Sequence, residues 1–158
     1  MKKYIIYTDG SQLDKQHHGR LGCGGVLLSG TGQKINQFSE ELTPEFMQKE
    51  YQTSDCSNPT MEMMGVLKAL QNFNLESGSE VTIKADYLGV REWNTGNWKI
   101  KKSYIKKIYD QIQKIIKDKK LNINFEWVKG HQSMSIMDSD AYWNNYVDKL
   151  AKSTTHEL

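Results

Sequence analysis

The run Tyr4-Ile5-Ile6-Tyr7-Thr8, closed by Asp9-Gly10-Ser11, constrains this chain more than any other stretch. Its unbroken series of β-branched and aromatic residues is the pattern of a strand buried on both faces, and the Gly-Ser pair ends it. Such a strand needs helices over both faces, so the rest of the chain must supply them. It also leaves Asp9 at the strand exit, partly desolvated and rigidly held. There the carboxylate either caps a turn through Gly10-Ser11 or meets a cation, a donor or a metal.

The remaining signals follow in order. Leu21 to Leu28 reads as a second strand, and Ser29-Gly30-Thr31-Gly32 as a hairpin turn into a third, about Gln33 to Glu41, so the first three strands form an antiparallel meander. The polar segment Gln12 to Arg20 is a surface loop, and its His17-His18 pair has no third ligand nearby. An acidic insertion, about 42–57, holds a short helix after Thr43-Pro44. Asn58-Pro59 then marks a helix start, with Asn58 as N-cap and Pro59 at the first helical position. In that helix Met63, Val66, Leu67, Leu70 and Phe73 form one core-facing stripe. Glu62 lies on its margin, either as a first-turn acid favoured by the helix dipole or as a group turned toward the sheet.

Val81 to Ala85 is a fourth strand, and Asp86 ends it as Asp9 ends the first. A helix from Tyr87 to Trp93, a turn at Asn94-Thr95-Gly96-Asn97, and a helix with the stripe Ile105, Ile108, Tyr109, Ile112, Ile115 and Ile116 come next. Leu121 to Val128 alternates Ile123, Phe125 and Trp127 with polar neighbours, as a fifth strand does. A loop without periodicity runs from Gly130-His131 to Ser139. The last helix, about Asp140 to Ser153, is expected to bury Trp143, Tyr146, Val147 and Leu150, with Asp148 on the face of Asn144. The sum is an α/β fold: a mixed sheet with helices on its faces, in a single domain of 158 residues.

The net charge of +2 hides an uneven distribution. From Arg91 to Lys120, ten basic residues stand against Glu92, Asp110 and Asp118, whereas from Phe38 to Glu62 six acids stand against Lys49 alone. The basic excess points to a polyanion partner or to a solvated helix face. Cys23 and Cys56 are far apart and lack metal-site spacing, so they read as reduced thiols of a cytosolic protein. The longest apolar runs are far short of a membrane span, and Met1-Lys2-Lys3 leads straight into a strand rather than a signal-peptide core. The chain is therefore expected to be soluble, unprocessed, cytoplasmic and free of the membrane.

Four acids, Asp9, Glu62, Asp86 and Asp148, occupy strand ends or inward helix margins. Ligands of sheet-and-helix folds gather at strand ends, so these groups can meet at one edge. Converging carboxylates repel one another, and hard divalent cations relieve that repulsion. Ligation by oxygen alone suits Mg²⁺ or Mn²⁺ rather than zinc.

Over nearly its whole length the chain resembles type 1 ribonuclease H. The resemblance is carried by Thr8-Asp9-Gly10-Ser11, Met61-Glu62, Ala85-Asp86, Trp127-Val128-Lys129-Gly130-His131 and Asn144-Asn145-Tyr146-Val147-Asp148-Lys149-Leu150-Ala151, in the family's order. It implies a five-stranded mixed sheet with the first three strands antiparallel. It implies endonucleolytic cleavage of the RNA strand of RNA–DNA hybrids with two Mg²⁺ ions, or Mn²⁺, leaving 5′-phosphate and 3′-hydroxyl ends. By the same resemblance Asp9 serves both ions, Glu62 and Asp86 hold one, and Asp148 completes the other. Glu62 also contacts the ribose 2′-hydroxyl, and His131 assists turnover by proton transfer or product release.

Substrate contacts are expected from Ser11, Asn58, Trp98, Lys99, Lys101 and Lys102. The last four lie in a short version, about 91–107, of the basic segment with which many members grip the DNA strand, whereas Trp93 reads as a core anchor. Several positions depart from the family pattern. Only Asn58 remains of the polar residues usual before the glutamate, with Pro59 and Thr60 after it, and Leu88 stands where a glutamine often reads the minor groove. The insertion is expected near the substrate side, and the gap from His131 to Asp148 is longer than usual. A free-standing monomer is expected. Two other classes remain: a module of this fold that binds hybrids without cutting, and a DNA-directed nuclease of the superfamily.

Overall fold

The computed structural model describes residues 2–12, 20–130 and 139–153. The His17-His18 loop and His131 lie outside the described residues. Five strands, β1 (Lys3–Gln12), β2 (Leu21–Ser29), β3 (Lys34–Leu42), β4 (Glu80–Ala85) and β5 (Asn122–Trp127), form one mixed sheet in the order β3-β2-β1-β4-β5. The pairs β1/β2 and β2/β3 are antiparallel, and β1/β4 and β4/β5 are parallel, as the expected meander and crossovers require. The helices are α1 (Pro44–Tyr51), α2 (Asn58–Asn72), α3 (Leu88–Asn94), α4 (Ser103–Asp118) and α5 (Ser139–Ser153). No helix of the described residues is long and apolar enough to cross a membrane.

One layer, built on α2 with α4 outside it, covers one face of the sheet, and α5 covers the other. Alternation along β1 divides its side chains accordingly. Ile6 belongs to the core under α2, while Tyr7 packs with Val26, Leu28 and Val147 under α5.

Several expectations are corrected. Helix α2 is buried on nearly every side rather than along one stripe, with Thr60, Met61, Glu62, Met63, Met64 and Ala69 all inside. It lies between the sheet and the outer helices, so no face is left for solvent. Its N-cap is Ser57 and not Asn58, and Pro59 is the second helical residue.

On α5 the buried face is Ala141, Asn144, Val147 and Ala151, with Trp143, Tyr146 and Leu150 only partly buried beside it. Gly24 of β2 lets the α5 backbone come close, since a β-carbon there would lie 2.6 Å from the Ala151 nitrogen. Trp127 is 45 % exposed, because β5 is the edge strand. The insertion forms α1, capped by the Thr43 side chain accepting from the Phe46 amide, and it docks through buried Met47 and Tyr51.

Candidate active site

Asp9, Glu62 and Asp86 come together, each offering an oxygen within 4.8 Å of the others. Asp86 follows β4 and Glu62 lies near the start of α2. Asp9, however, is inside β1, which does not end at Gly10-Ser11 and stays paired with β2 as far as Gln12, beyond the last β4 partner at Tyr7. Gly10 makes the approach of α2 possible, since a β-carbon there would lie 2.3 Å from the Met61 carbonyl carbon. The Gly10 amide donates to Asp9 Oδ1 and to Glu62 Oε1, both at 3.0 Å, and so ties the two carboxylates together. On the other side, a β-carbon on Gly130 would lie 2.9 Å from Asp86 Oδ2, and Trp127 Nε1 donates to the Asp86 carbonyl at 3.0 Å.

These groups line a cleft of about 400 Å³ together with Ser11, Asn58, Tyr87 and Asp148. All four acids singled out in the sequence therefore share one cavity. Asp148 Oδ2 pairs at 3.1 Å with Lys152, one turn further along α5, and Lys152 also lines the cleft. Sequence reasoning missed Lys152, and the i,i+4 spacing from Asp148 was the available signal.

Burial pushes the Asp9 carboxyl up to about 7, with Asp86 and Asp148 adding to the rise and a hydrogen bond to Glu62 opposing it. Burial, then the charge of Asp9, holds Glu62 well above the ordinary carboxylate range. Glu62 Oε2 is buried with no hydrogen-bond partner among the described residues. Two physical remedies exist for such an oxygen: a proton shared with Asp9, or a cation. The donors are all hard oxygens, so the residues fit a divalent cation of the Mg²⁺ or Mn²⁺ type.

A second cavity, of about 250 Å³, is lined by Ser57, Pro59, Thr60, Trp93, Lys99, Lys101 and Lys102, and Tyr87 borders both cavities. Trp98 is 40 % exposed and stacks edge-on against Trp93, with ring centres 6.1 Å apart. Trp93 packs on the core, as expected of an anchor. The insertion reaches this second cavity through Asp55, which accepts from the Tyr104 hydroxyl and pairs with Lys102 at 3.3 Å. The sequence placed the insertion near the substrate side and Tyr104 within the basic segment, but did not single out Asp55.

The RNase H family model matches residues 1–156. A ribonuclease H of Clostridium botulinum is 29 % identical over 168 aligned residues, covering 100 % of this chain and 99 % of that protein. Among solved structures, an N-terminal RNase H domain from Mycobacterium tuberculosis superposes with a TM-score of 0.73 at 22 % identity, over 98 % of this chain and 94 % of that one. LC11-RNase H1 in complex with RNA/DNA hybrid gives 0.66 at 17 % identity, over 96 % and 98 %.

Proposed function

Because this chain belongs to the ribonuclease H family, we propose that it cuts the RNA strand of RNA–DNA hybrids endonucleolytically, with two divalent cations, leaving 5′-phosphate and 3′-hydroxyl ends. The observation that carries the reading is the meeting of Asp9, Glu62 and Asp86 within 4.8 Å in a cleft that Asp148 also lines. A module that only binds a polyanion gains nothing from carboxylates facing it. The hybrid bound to the similar fold of LC11-RNase H1 supports the choice of substrate.

Asp9 would serve both ions, Glu62 and Asp86 one, and Asp148 the other. When bound, Mg²⁺ or Mn²⁺ supplies positive charge to the scissile phosphate and lowers the pKa of the attacking water. The chain's own residues do the rest. The Gly10 amide fixes the orientation of Asp9 and Glu62 before substrate arrives. Glu62 is held where it can accept from a ribose 2′-hydroxyl, the group that separates RNA from DNA at that position. Ser11 and Asn58 line the same cleft and would meet the RNA strand.

Lys99, Lys101 and Lys102 around the second cavity would neutralise phosphates of the DNA strand, and the exposed ring of Trp98 would pack on a sugar. His131 completes the set as a proton carrier during turnover. The reading includes a cytosolic monomer, and the free, buried thiols of Cys23 and Cys56 are in keeping with a reducing compartment.

The test is a gel assay of end-labelled hybrid, double-stranded RNA, single-stranded RNA and duplex DNA, with Mg²⁺, Mn²⁺ or chelator, for wild type and Asp9→Asn. Cleavage confined to the hybrid's RNA strand, to metal and to wild type is expected. Hybrid bound but uncut would replace the enzyme with a binding module, and cleavage of duplex DNA would replace it with a DNA-directed nuclease.

A further inference from the structure

Two residues before each strand-borne acid, on the same side of the sheet, lies a residue outside the cleft. Tyr7 precedes Asp9 on β1 and Lys84 precedes Asp86 on β4, and Tyr7 and Lys84 are direct partners in the parallel ladder. Both reach across to the same group. The Tyr7 hydroxyl donates to Asp140 Oδ1, and Lys84 Nζ meets that oxygen at 2.9 Å. Lys84 also lies 5.6 Å from the centre of the Tyr7 ring and 3.7 Å from Glu126 of β5. Asp140 is in the first turn of α5, the helix that carries Asp148.

We propose that Tyr7, Lys84 and Asp140 form a positioning clamp that sets Asp148 against Asp9 and Asp86. One contact joins the three elements that bear these three acids, and this inference rests on the reading of Asp148 as a metal ligand. The helix packs along its length, with Val147 buried against Tyr7, Val26 and Leu28, and each end carries a further contact. Near its far end the Gly24 backbone leaves no room even for a β-carbon against Leu150 and Ala151, and Ser39 Oγ donates to the Leu150 carbonyl. At its start the clamp holds Asp140, eight residues or about 12 Å before Asp148. Tyr7 also packs against Val147, the residue before Asp148, so loosening the clamp reaches the helix beside the acid as well as at its start.

The clamp is partly withdrawn from water, with Tyr7 2 % exposed and the side chains of Lys84 and Asp140 17 % and 36 %. Its charges are therefore screened less than those of a surface pair. Groups that orient metal-holding carboxylates in this way typically change metal affinity by 10- to 100-fold when removed. A tie that merely stabilised the fold would lower the melting temperature and leave that affinity unchanged.

The experiment is direct titration of Mn²⁺ into the substrate-free full chain by calorimetry, for wild type, Tyr7→Phe, Asp140→Asn, Asp148→Asn and the pairings of each clamp variant with Asp148→Asn. Melting temperature and hybrid cleavage against Mn²⁺ concentration are recorded beside it. Tyr7→Phe keeps the ring and removes only the donor, so it serves where Asp140→Asn fails to fold. The expected result is Mn²⁺ affinity reduced on the order of tenfold in each clamp variant. Cleavage should recover at raised Mn²⁺, and the clamp variants should have little further effect once Asp148 is gone. Unchanged affinity in folded clamp variants, or loss fully additive with Asp148→Asn, overturns the clamp. Wild type that bound Mn²⁺ but cut no hybrid would instead overturn the proposed function, while the affinity differences would still decide the clamp.

Discussion

Gly10 of β1 and Met61 of α2 are in backbone contact: a β-carbon on Gly10 would lie 2.3 Å from both the carbonyl carbon and the carbonyl oxygen of Met61. Glu62 follows Met61, so this approach brings its carboxylate to Asp9 and lets the Gly10 amide serve both acids. Backbone cannot yield as a flexible side-chain tip can. Gly10→Ala should therefore push α2 from β1, lower stability by about 1–3 kcal/mol and weaken Mn²⁺ binding together. Thermal unfolding and calorimetric Mn²⁺ titration check both. A variant as stable as wild type with unaltered Mn²⁺ binding would mean that α2 can slide without disturbing the acids.

The carboxylate cluster makes the metal-free protein sensitive to pH in a definite direction. Asp9 has an ordinary value of 3.8 and is pushed up to about 7 in the fold, chiefly by burial. The folded state therefore holds a proton that the unfolded chain has lost between those two values. The resulting stability is fully present below about 3.8 and disappears as pH rises toward 7. In chelator the melting temperature should fall across that window, and saturating Mg²⁺ should raise it more at pH 8 than at pH 5. Asp9→Asn removes the buried charge and should flatten the slope in chelator. A slope unchanged by Asp9→Asn would assign the effect to other groups.

If Asp148 holds a metal as proposed, Lys152 competes with that metal for it. The pair is i,i+4 on α5 and partly exposed, at 3.1 Å, so its contribution is modest. Removing the ammonium frees the carboxylate for a cation. Lys152→Met should tighten Mn²⁺ binding to the substrate-free protein by about two- to fivefold, the equivalent of a partly exposed ion pair. Weaker binding in this variant would show that Lys152 holds Asp148 in place rather than occupying it.

What could be read from the chain was local and periodic. The strand signals at Tyr4 to Thr8, Leu21 to Leu28 and Val81 to Ala85 depend on neighbouring residues, and so does the placement of Asp86 at a strand exit. Asp9 instead lies within β1, because pairing with Leu21 to Gly24 carries the strand on to Gln12. The five-stranded mixed sheet with its first three strands antiparallel followed from the resemblance, and the structure has it. The misplaced details depend on partners distant in sequence. A single apolar stripe predicts one buried face, but α2 is enclosed by other helices. Bulky Trp143 and Tyr146 look like core, but α5 seats its backbone at Leu150 and Ala151 on Gly24 of a distant strand and turns Ala141, Asn144, Val147 and Ala151 inward. Tyr7 meets Asp140 from 133 positions away, a separation that no periodic pattern encodes. The N-cap of α2 shifted by one because proline is tolerated at either of the first helical positions.

The acidic insertion bears on substrate grip through one residue. Asp55 lies in the lysine-lined second cavity, where burial alone would raise its carboxyl. Hydrogen bonds from Tyr104, Ser57 and Lys102 outweigh that and hold it at about 2. It is thus a fixed negative charge at every physiological pH, and it occupies Lys102, whose side chain is 64 % exposed and otherwise suited to a phosphate. A bound phosphodiester must displace this carboxylate from Lys102 or share the lysine with it. Asp55→Asn removes the competing charge while keeping Oδ1 as acceptor for the Ser57 amide, and the new Nδ2 can donate to the Tyr104 hydroxyl oxygen. The variant should bind hybrid more tightly at low salt, and the slope of log affinity against log salt should steepen by up to about one released counter-ion. Stability should change by less than about 1 kcal/mol from the exposed ion pair itself. Filter binding of hybrid in Ca²⁺, from low to physiological salt, measures the slope. An unchanged slope with unchanged affinity would separate Lys102 from the substrate path, and weaker binding would make Asp55 a support that holds Lys102 in place for the DNA strand.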